Sequence, residues 1–370
     1  MRALLIARDV APSQILERVQ FELHSRGHET FSVLGSGKAI EFDSDSIVAM
    51  VLSSNFVLVG MSSTAELSKE EIFAAQIAMD NSIPFGFICD IFDCYKRPWF
   101  APFREKAGKL FVVAEAEIAE AKALFPNAEV VASGNPCWED FFDRMSLEEE
   151  KTLWDRYGLS PERKTILAVG GKDLMLNMAF FGGVISAASY NERLARSNEA
   201  AHLEKLPKFQ VLLSVHPGDP NDASIYGSLM NSDGGGLSRV PVALDKGTKP
   251  EKLLAIADLV VVLGSSVGIA AACQRKPVIN YFTELYRKKI EDGGGWPWKP
   301  CSELGIAELV TDCERPHLSE MISWLTQEGS SWWSQAMRIR QEKAFPELRE
   351  KGAAVRKICD ALGAFPLKSE

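Results

Sequence analysis

Short apolar, β-branched runs alternate with longer amphipathic segments along this chain, and the whole alternation occurs twice. No other feature constrains the fold as much. Parallel strands must be joined by crossovers of about a dozen residues or more, usually helices, so this rhythm predicts parallel sheets with helices on their faces. In the first half the strand-like runs are residues 3–7, 30–34, 56–60, 85–89, 110–114 and 129–132, with helices at 13–26, 45–53, 68–81 and 116–125. The helix at 68 opens Ser68-Lys69-Glu70-Glu71, the spacing of a capping box. A polar helical stretch at 146–157 and the turn Gly158-Leu159-Ser160-Pro161 lead into a second series, with strands at 165–169, 210–215, 237–242, 259–263, 278–281 and 308–310. Its helices are expected at 174–196, 223–231, 250–257, 267–274 and 318–327, before a charged helical tail over 334–362. The fold class is therefore α/β, with two Rossmann-like, doubly wound domains facing a central cleft.

Length agrees, since 370 residues at roughly 100–200 per domain make two domains. Their boundaries are expected at 1–158 and 159–330, with 331–370 forming C-terminal helices. The formal net charge of -9 repels nucleic acid, so no nucleic-acid partner is expected, although a local basic pocket is compatible with it. The seven cysteines show no CxxC spacing, which signals neither a zinc site nor a disulfide framework, and no metal is expected. Residues 1–7 are basic then apolar, but Arg8-Asp9 cut the run short of a signal peptide, and it fits a buried first strand better. The longest nearly apolar stretch, 178–190, falls short of the ~18–20 residues that span a bilayer. A cytoplasmic location is expected.

Ligands of doubly wound sheets bind beyond the carboxyl ends of the strands, so the chemistry is sought in the turns that follow them. Gly170-Gly171-Lys172 ends the first strand of the second series, where glycines admit a phosphate and the lysine adds charge. A plain strand–helix turn is the alternative. His216-Pro217 ends the next strand; the proline stops the strand and leaves the imidazole at the rim, where it could bond a diphosphate or a sugar hydroxyl. Gly264-Ser265-Ser266 delivers two hydroxyls to a helix start, as phosphate ligands or as a helix cap. In the first series Asp90 directly follows a buried strand and is the candidate general base, with Glu115 in reserve. Trp296, beside the run Gly293-Gly294-Gly295, offers an aromatic face for a sugar ring or a base.

Together these segments resemble the GT-B superfamily, which holds nucleotide-sugar glycosyltransferases and non-hydrolysing UDP-GlcNAc 2-epimerase-like proteins; the nearest look is to bacterial capsule or teichoic-acid-type transferases. The resemblance rests on Ser133-Gly134-Asn135-Pro136, on His216-Pro217, on Ser265-Ser266 followed by Lys276-Pro277-Val278-Ile279-Asn280-Tyr281, and on the stretch from Ile83 to Asp90. It implies that the second domain holds a nucleotide-sugar donor, that the first holds a glycan or lipid-linked acceptor, and that the C-terminal helices cross back to the first domain. A lipid-linked acceptor would bring the protein to the membrane periphery. The implied activity is metal-independent glycosyl transfer in bacterial surface polysaccharide synthesis. Asp90 and His216 would be catalytic, Gly170, Gly171, Lys172, Ser265, Ser266 and Trp296 would bind substrate, and no cofactor is needed beyond the nucleotide sugar. A 2-epimerase and a non-catalytic nucleotide-sugar-binding protein are the alternatives. The superfamily's usual acid after the serine turn is replaced here by Ile269-Ala270-Ala271-Ala272, which weighs against the epimerase.

Overall fold

Among the described residues twelve strands form two six-stranded sheets, and every pairing is parallel. The computed structural model describes residues 1–35, 43–143, 145–196, 207–230, 240–292, 300–312, 314–327, 332–345 and 350–363. One compact unit comprises Met1–Asp140 with Phe345–Glu370, the other Phe141–Ala344. The helix Leu147–Tyr157 and the helix Trp332–Ala344 therefore fall within the second unit, on the other side of the expected boundaries at 158 and 330.

The first sheet contains β1 (Arg2–Ala7), β2 (Glu29–Leu34), β3 (Phe56–Gly60), β4 (Phe85–Ile88), β5 (Lys109–Val112) and β6 (Glu129–Ala132), in the order β2-β1-β3-β4-β5-β6. Strands covered on both faces must be apolar throughout, and β3 is buried at all five positions. On one face the helix Val10–Ser25 contributes Ile15, Leu16, Val19 and Leu23 to a core with Leu5, Phe56 and Phe111. Val355, Ile358, Cys359 and Leu362 of the helix Ala353–Gly363 close the same core. Glu139 fixes that last helix by accepting the Gly352 and Ala354 amides at 2.6 and 2.8 Å.

The second sheet contains β7 (Lys164–Val169), β8 (Phe209–Val215), β9 (Val242–Lys246), β10 (Leu259–Val262), β11 (Val278–Phe282) and β12 (Glu308–Thr311), in the order β12-β11-β10-β7-β8-β9. Its core packs the helix Leu174–Arg196 and the helix Leu318–Thr326 on β7, β8, β10 and β11. Two expectations are corrected. The third strand described in this unit is Val242–Lys246, where 237–242 is expected; of that range 240–241 are not strand, and an edge strand needs only one apolar face, so its Asp245 and Lys246 disguise it. Residues 231–239 lie outside the described residues. A strongly charged helix, Glu284–Asp292, also follows β11 where the sequence suggested none. Among the described residues no helix is long and apolar enough to cross a membrane.

Candidate functional site

The strand order of the second sheet reverses between β10 and β7, so the turns leaving those strands flank its ligand crevice. In the β7 turn the Gly170 amide donates to the Ser214 carbonyl at 3.0 Å, and the Gly171 amide to Asn177 Oδ1 at 2.7 Å. Both glycine amides are thus bonded within the protein. Gly170 is required by packing, because a Cβ there would stand 2.7 Å from the Phe181 ring. What the turn turns outward is Lys172, exposed and with no ion pair among the described residues. The next residue, Asp173, accepts the Leu176 amide at 3.0 Å and pairs with Lys289, which holds its carboxyl below the usual range.

After β8 the half-buried His216 accepts the Gly218 amide at Nδ1, 2.9 Å away. That bond leaves the proton of the neutral ring on Nε2, a donor with no partner among the described residues. Burial, then the charge of Lys172, lower the pKa of His216, with Asp219 opposing them. A Cβ on Gly218 would lie 3.2 Å from both His216 Nδ1 and Lys172 Cε, so ring and lysine stem meet across that glycine. These two expected ligands, far apart in sequence, come together.

After β10 the chain passes through Gly264, whose φ of +62° suits glycine, into Ser265 and Ser266. Ser265 Oγ accepts the Val267 amide at 3.3 Å, so this serine caps the short helix Val267–Cys273. Ser266 is exposed and makes no capping bond. The cap reading therefore holds for Ser265, and Ser266 is left exposed. Trp296 lies outside the described residues.

A buried polar trio, which the motifs did not reveal, ties the β7 and β8 turns together. Asn177 Nδ2 donates to the Gly171 carbonyl at 3.0 Å, to Asp219 Oδ2 at 3.1 Å and to the Tyr226 hydroxyl at 2.9 Å. The Tyr226 hydroxyl in turn donates to Asp219 at 2.5 Å. Burial pushes the Asp219 pKa up, but the bonds from Tyr226 and Asn221 outweigh it and hold the carboxyl below its usual range. Asn177 sits on an otherwise apolar helical face, where its role has no sequence signature.

The first sheet reverses between β1 and β3, and its crevice is lined differently. Glu71, wholly buried, accepts the Arg8 amide at 3.1 Å, the Ser62 amide at 3.0 Å and the Ser62 hydroxyl at 2.5 Å. Asp9 accepts the Ser63 hydroxyl at 2.6 Å and the Val10 amide at 2.8 Å. The expected capping box at Ser68 does not form: its side chain makes no capping bond, because Glu71 is drawn to the β1 and β3 turns. Burial raises the Glu71 pKa to about 8.

Asp90 follows β4 as expected, but its carboxyl is engaged. It accepts from Cys94 Sγ at 2.9 Å and pairs with Arg97 at 3.3 Å, while Asn135 Nδ2 donates to its carbonyl at 2.7 Å. Burial raises its pKa, and Arg97 opposes the rise. Glu115 is exposed. Two residues on, Glu117 is the buried carboxyl; it accepts the Asp93, Val113 and Ala114 amides at 2.8, 3.1 and 3.2 Å, and burial raises its pKa to about 7. Among the described residues no group of three or more His, Cys, Asp or Glu could hold a metal ion.

No protein-family model matches the chain. Over 67 residues it is 40% identical to the UDP-N-acetylglucosamine–N-acetylmuramyl-(pentapeptide) pyrophosphoryl-undecaprenol N-acetylglucosamine transferase of Parabacteroides distasonis, a match that spans 18% of this chain and 17% of that enzyme. The structure is similar to that of UDP-GlcNAc 2-epimerase from Neisseria meningitidis bound to UDP-GlcNAc, with a TM-score of 0.61 and 14% identity over 99% of this chain and 100% of that one. It is similar also to a glycosyltransferase from Rickettsia africae, with a TM-score of 0.58 and 13% identity over 97% of each chain. The chain has the GT-B fold, with two Rossmann-like units, that these epimerases and glycosyltransferases share.

Proposed function

We propose that the protein is an enzyme acting on a nucleoside-diphosphate sugar, and that the β7–β10 crevice of the second unit takes the diphosphate. The observation that carries this is the meeting of Lys172 and His216 across Gly218, with Ser266 open on the next turn. A cation and an unpartnered N–H donor at strand ends suit the negative charge that grows on a departing diphosphate. We assign the reaction as glycosyl transfer to a glycan or lipid-linked acceptor, with Asp90 as the base that takes the acceptor's proton. Its raised pKa makes it a stronger proton acceptor than an ordinary carboxylate. No cofactor beyond the sugar nucleotide enters this scheme.

A second reading, epimerisation of the bound sugar nucleotide, is favoured by one observation. The strand ends of the first unit carry two carboxyls with raised pKa, Asp90 and Glu117, and elimination and re-addition need groups that take up and return protons. One experiment separates the two. The protein is incubated in deuterated water with UDP-sugars and a panel of acceptors, and products are read by mass spectrometry. A glycosylated acceptor without carbon-bound label supports transfer. Deuterium at sugar carbon without transfer supports epimerisation. Unchanged donors throughout would remove both activities.

A further inference from the structure

We infer that the hydroxyl of Tyr286 is a phosphoryl ligand of the second unit's crevice, one that gives it a preference for nucleoside diphosphates over monophosphates. This rests on the diphosphate reading above and adds a residue that no motif marked.

Tyr286 lies on the helix Glu284–Asp292, which follows β11. Its ring packs on Phe282, with centroids 5.2 Å apart, and its hydroxyl lies over Gly264, where a Cβ would run into it. Only a glycine lets the β10 turn approach so closely. The ring is half-buried, yet among the described residues the hydroxyl has no hydrogen-bond partner, and it is not sealed from solvent. A hydroxyl held in place by its ring, unused internally and open at a ligand turn, is a pre-positioned donor.

The same helix is anchored at the other turn. Lys289, three residues on and so on the same helical face, pairs with Asp173 after β7. Tyr286 is thereby held beside β10 by packing and by an ion pair at β7. Adjacent strands lie ~4.8 Å apart, close enough for ligands carried on neighbouring strand ends to reach both phosphoryl groups of one diphosphate. Lys172 and His216 then serve the phosphoryl nearer β7 and β8, while Tyr286 and Ser266 serve the one nearer β10. A monophosphate reaches only one of these pairs.

The test is calorimetric titration of the full chain and its Tyr286→Phe variant with UDP and with UMP. Phenylalanine keeps the ring packing, so thermal midpoints should coincide. The variant should lose about tenfold in affinity for UDP, as expected for one hydrogen bond to a charged group, and less than about twofold for UMP. Equal losses for the two nucleotides, or a UDP loss below about twofold, would overturn the role of Tyr286 and leave the diphosphate reading standing. Failure of the unaltered protein to bind UDP at all would overturn that reading, and the role of Tyr286 with it.

Discussion

The two sheets reverse strand order at comparable places, and the two crevices have been used in opposite ways. In the first unit the protein fills the crevice itself: Glu71 takes the amides of Arg8 and Ser62 and the Ser62 hydroxyl, and Asp9 takes the Ser63 hydroxyl and the amide of Val10. In the second unit the carboxyls at the turns are already matched, Asp173 by Lys289 and Asp219 by Tyr226 and the Asn177 and Asn221 amides. Lys172 and Ser266 are left exposed, and Nε2 of His216 has no partner among the described residues. One fold therefore yields a self-satisfied turn and an open one. The difference lies in whether a neighbouring helix carries a carboxyl that can reach back into the crevice.

This contrast predicts that substitutions in the first crevice act on stability and those in the second on ligand. The largest effect should come from Glu71→Ala, which leaves two amides and a hydroxyl unpaired. At about 1 kcal/mol or more for each group, urea unfolding should show a loss of roughly 3 kcal/mol, with UDP affinity unchanged. Loss of UDP binding in a folded variant would erase the distinction. The raised pKa of Glu71 also sets a sign. A carboxyl that holds its proton more tightly when folded stabilises most below its ordinary pKa of 4.5, and that contribution is lost as pH rises through about 8. Glu71→Gln should flatten the decline in stability over that window.

His216→Ala is the counterpart. It should lower turnover ten- to a thousandfold, on the order of one lost transition-state donor, while leaving the unfolding midpoint in place. The two serines should divide along the same line. Ser265→Ala removes a cap and should cost about 1 kcal/mol of stability. Ser266→Ala should weaken UDP binding by about tenfold in a protein of unchanged midpoint. Reversal of that pattern would show that Ser265 is the ligand. The smallest effect tests the meeting of Lys172 and His216. Lys172→Met should raise the His216 pKa towards the ordinary 6.5, read by NMR titration of the ring, because a neighbouring positive charge is removed.

Much of this architecture was legible in the sequence. Eleven of the twelve described strands coincide with apolar or β-branched runs, the clearest being those buried at every position, such as Leu259–Val262. The exception, β9, sits at a sheet edge and alternates polar with apolar residues. The helix Glu284–Asp292 was hidden by its charge. At the sites, residue types at strand ends pointed to Lys172, His216, the serine pair and Asp90, but not to what those groups touch. Glu71 reads as a capping residue three places from Ser68, whereas its partner amide at Arg8 is 63 residues away. Glu117 and Asn177 were passed over for the same reason: burial and long-range bonds give a polar residue its role, and neither leaves a local pattern.

Asn177 carries a consequence for how this protein can change. One amide side chain holds both the peptide of Gly171 and the carboxyl of Asp219, so the turns that bear Lys172 and His216 share a fastening. Mutational drift in either turn is then filtered by the other, and substitutions in the two should be strongly non-additive. A library meant to retune donor preference by randomising 171–172 alone would be dominated by variants that disturb His216. Varying both turns around a fixed Asn177 keeps the hinge of that coupling and explores only what it permits.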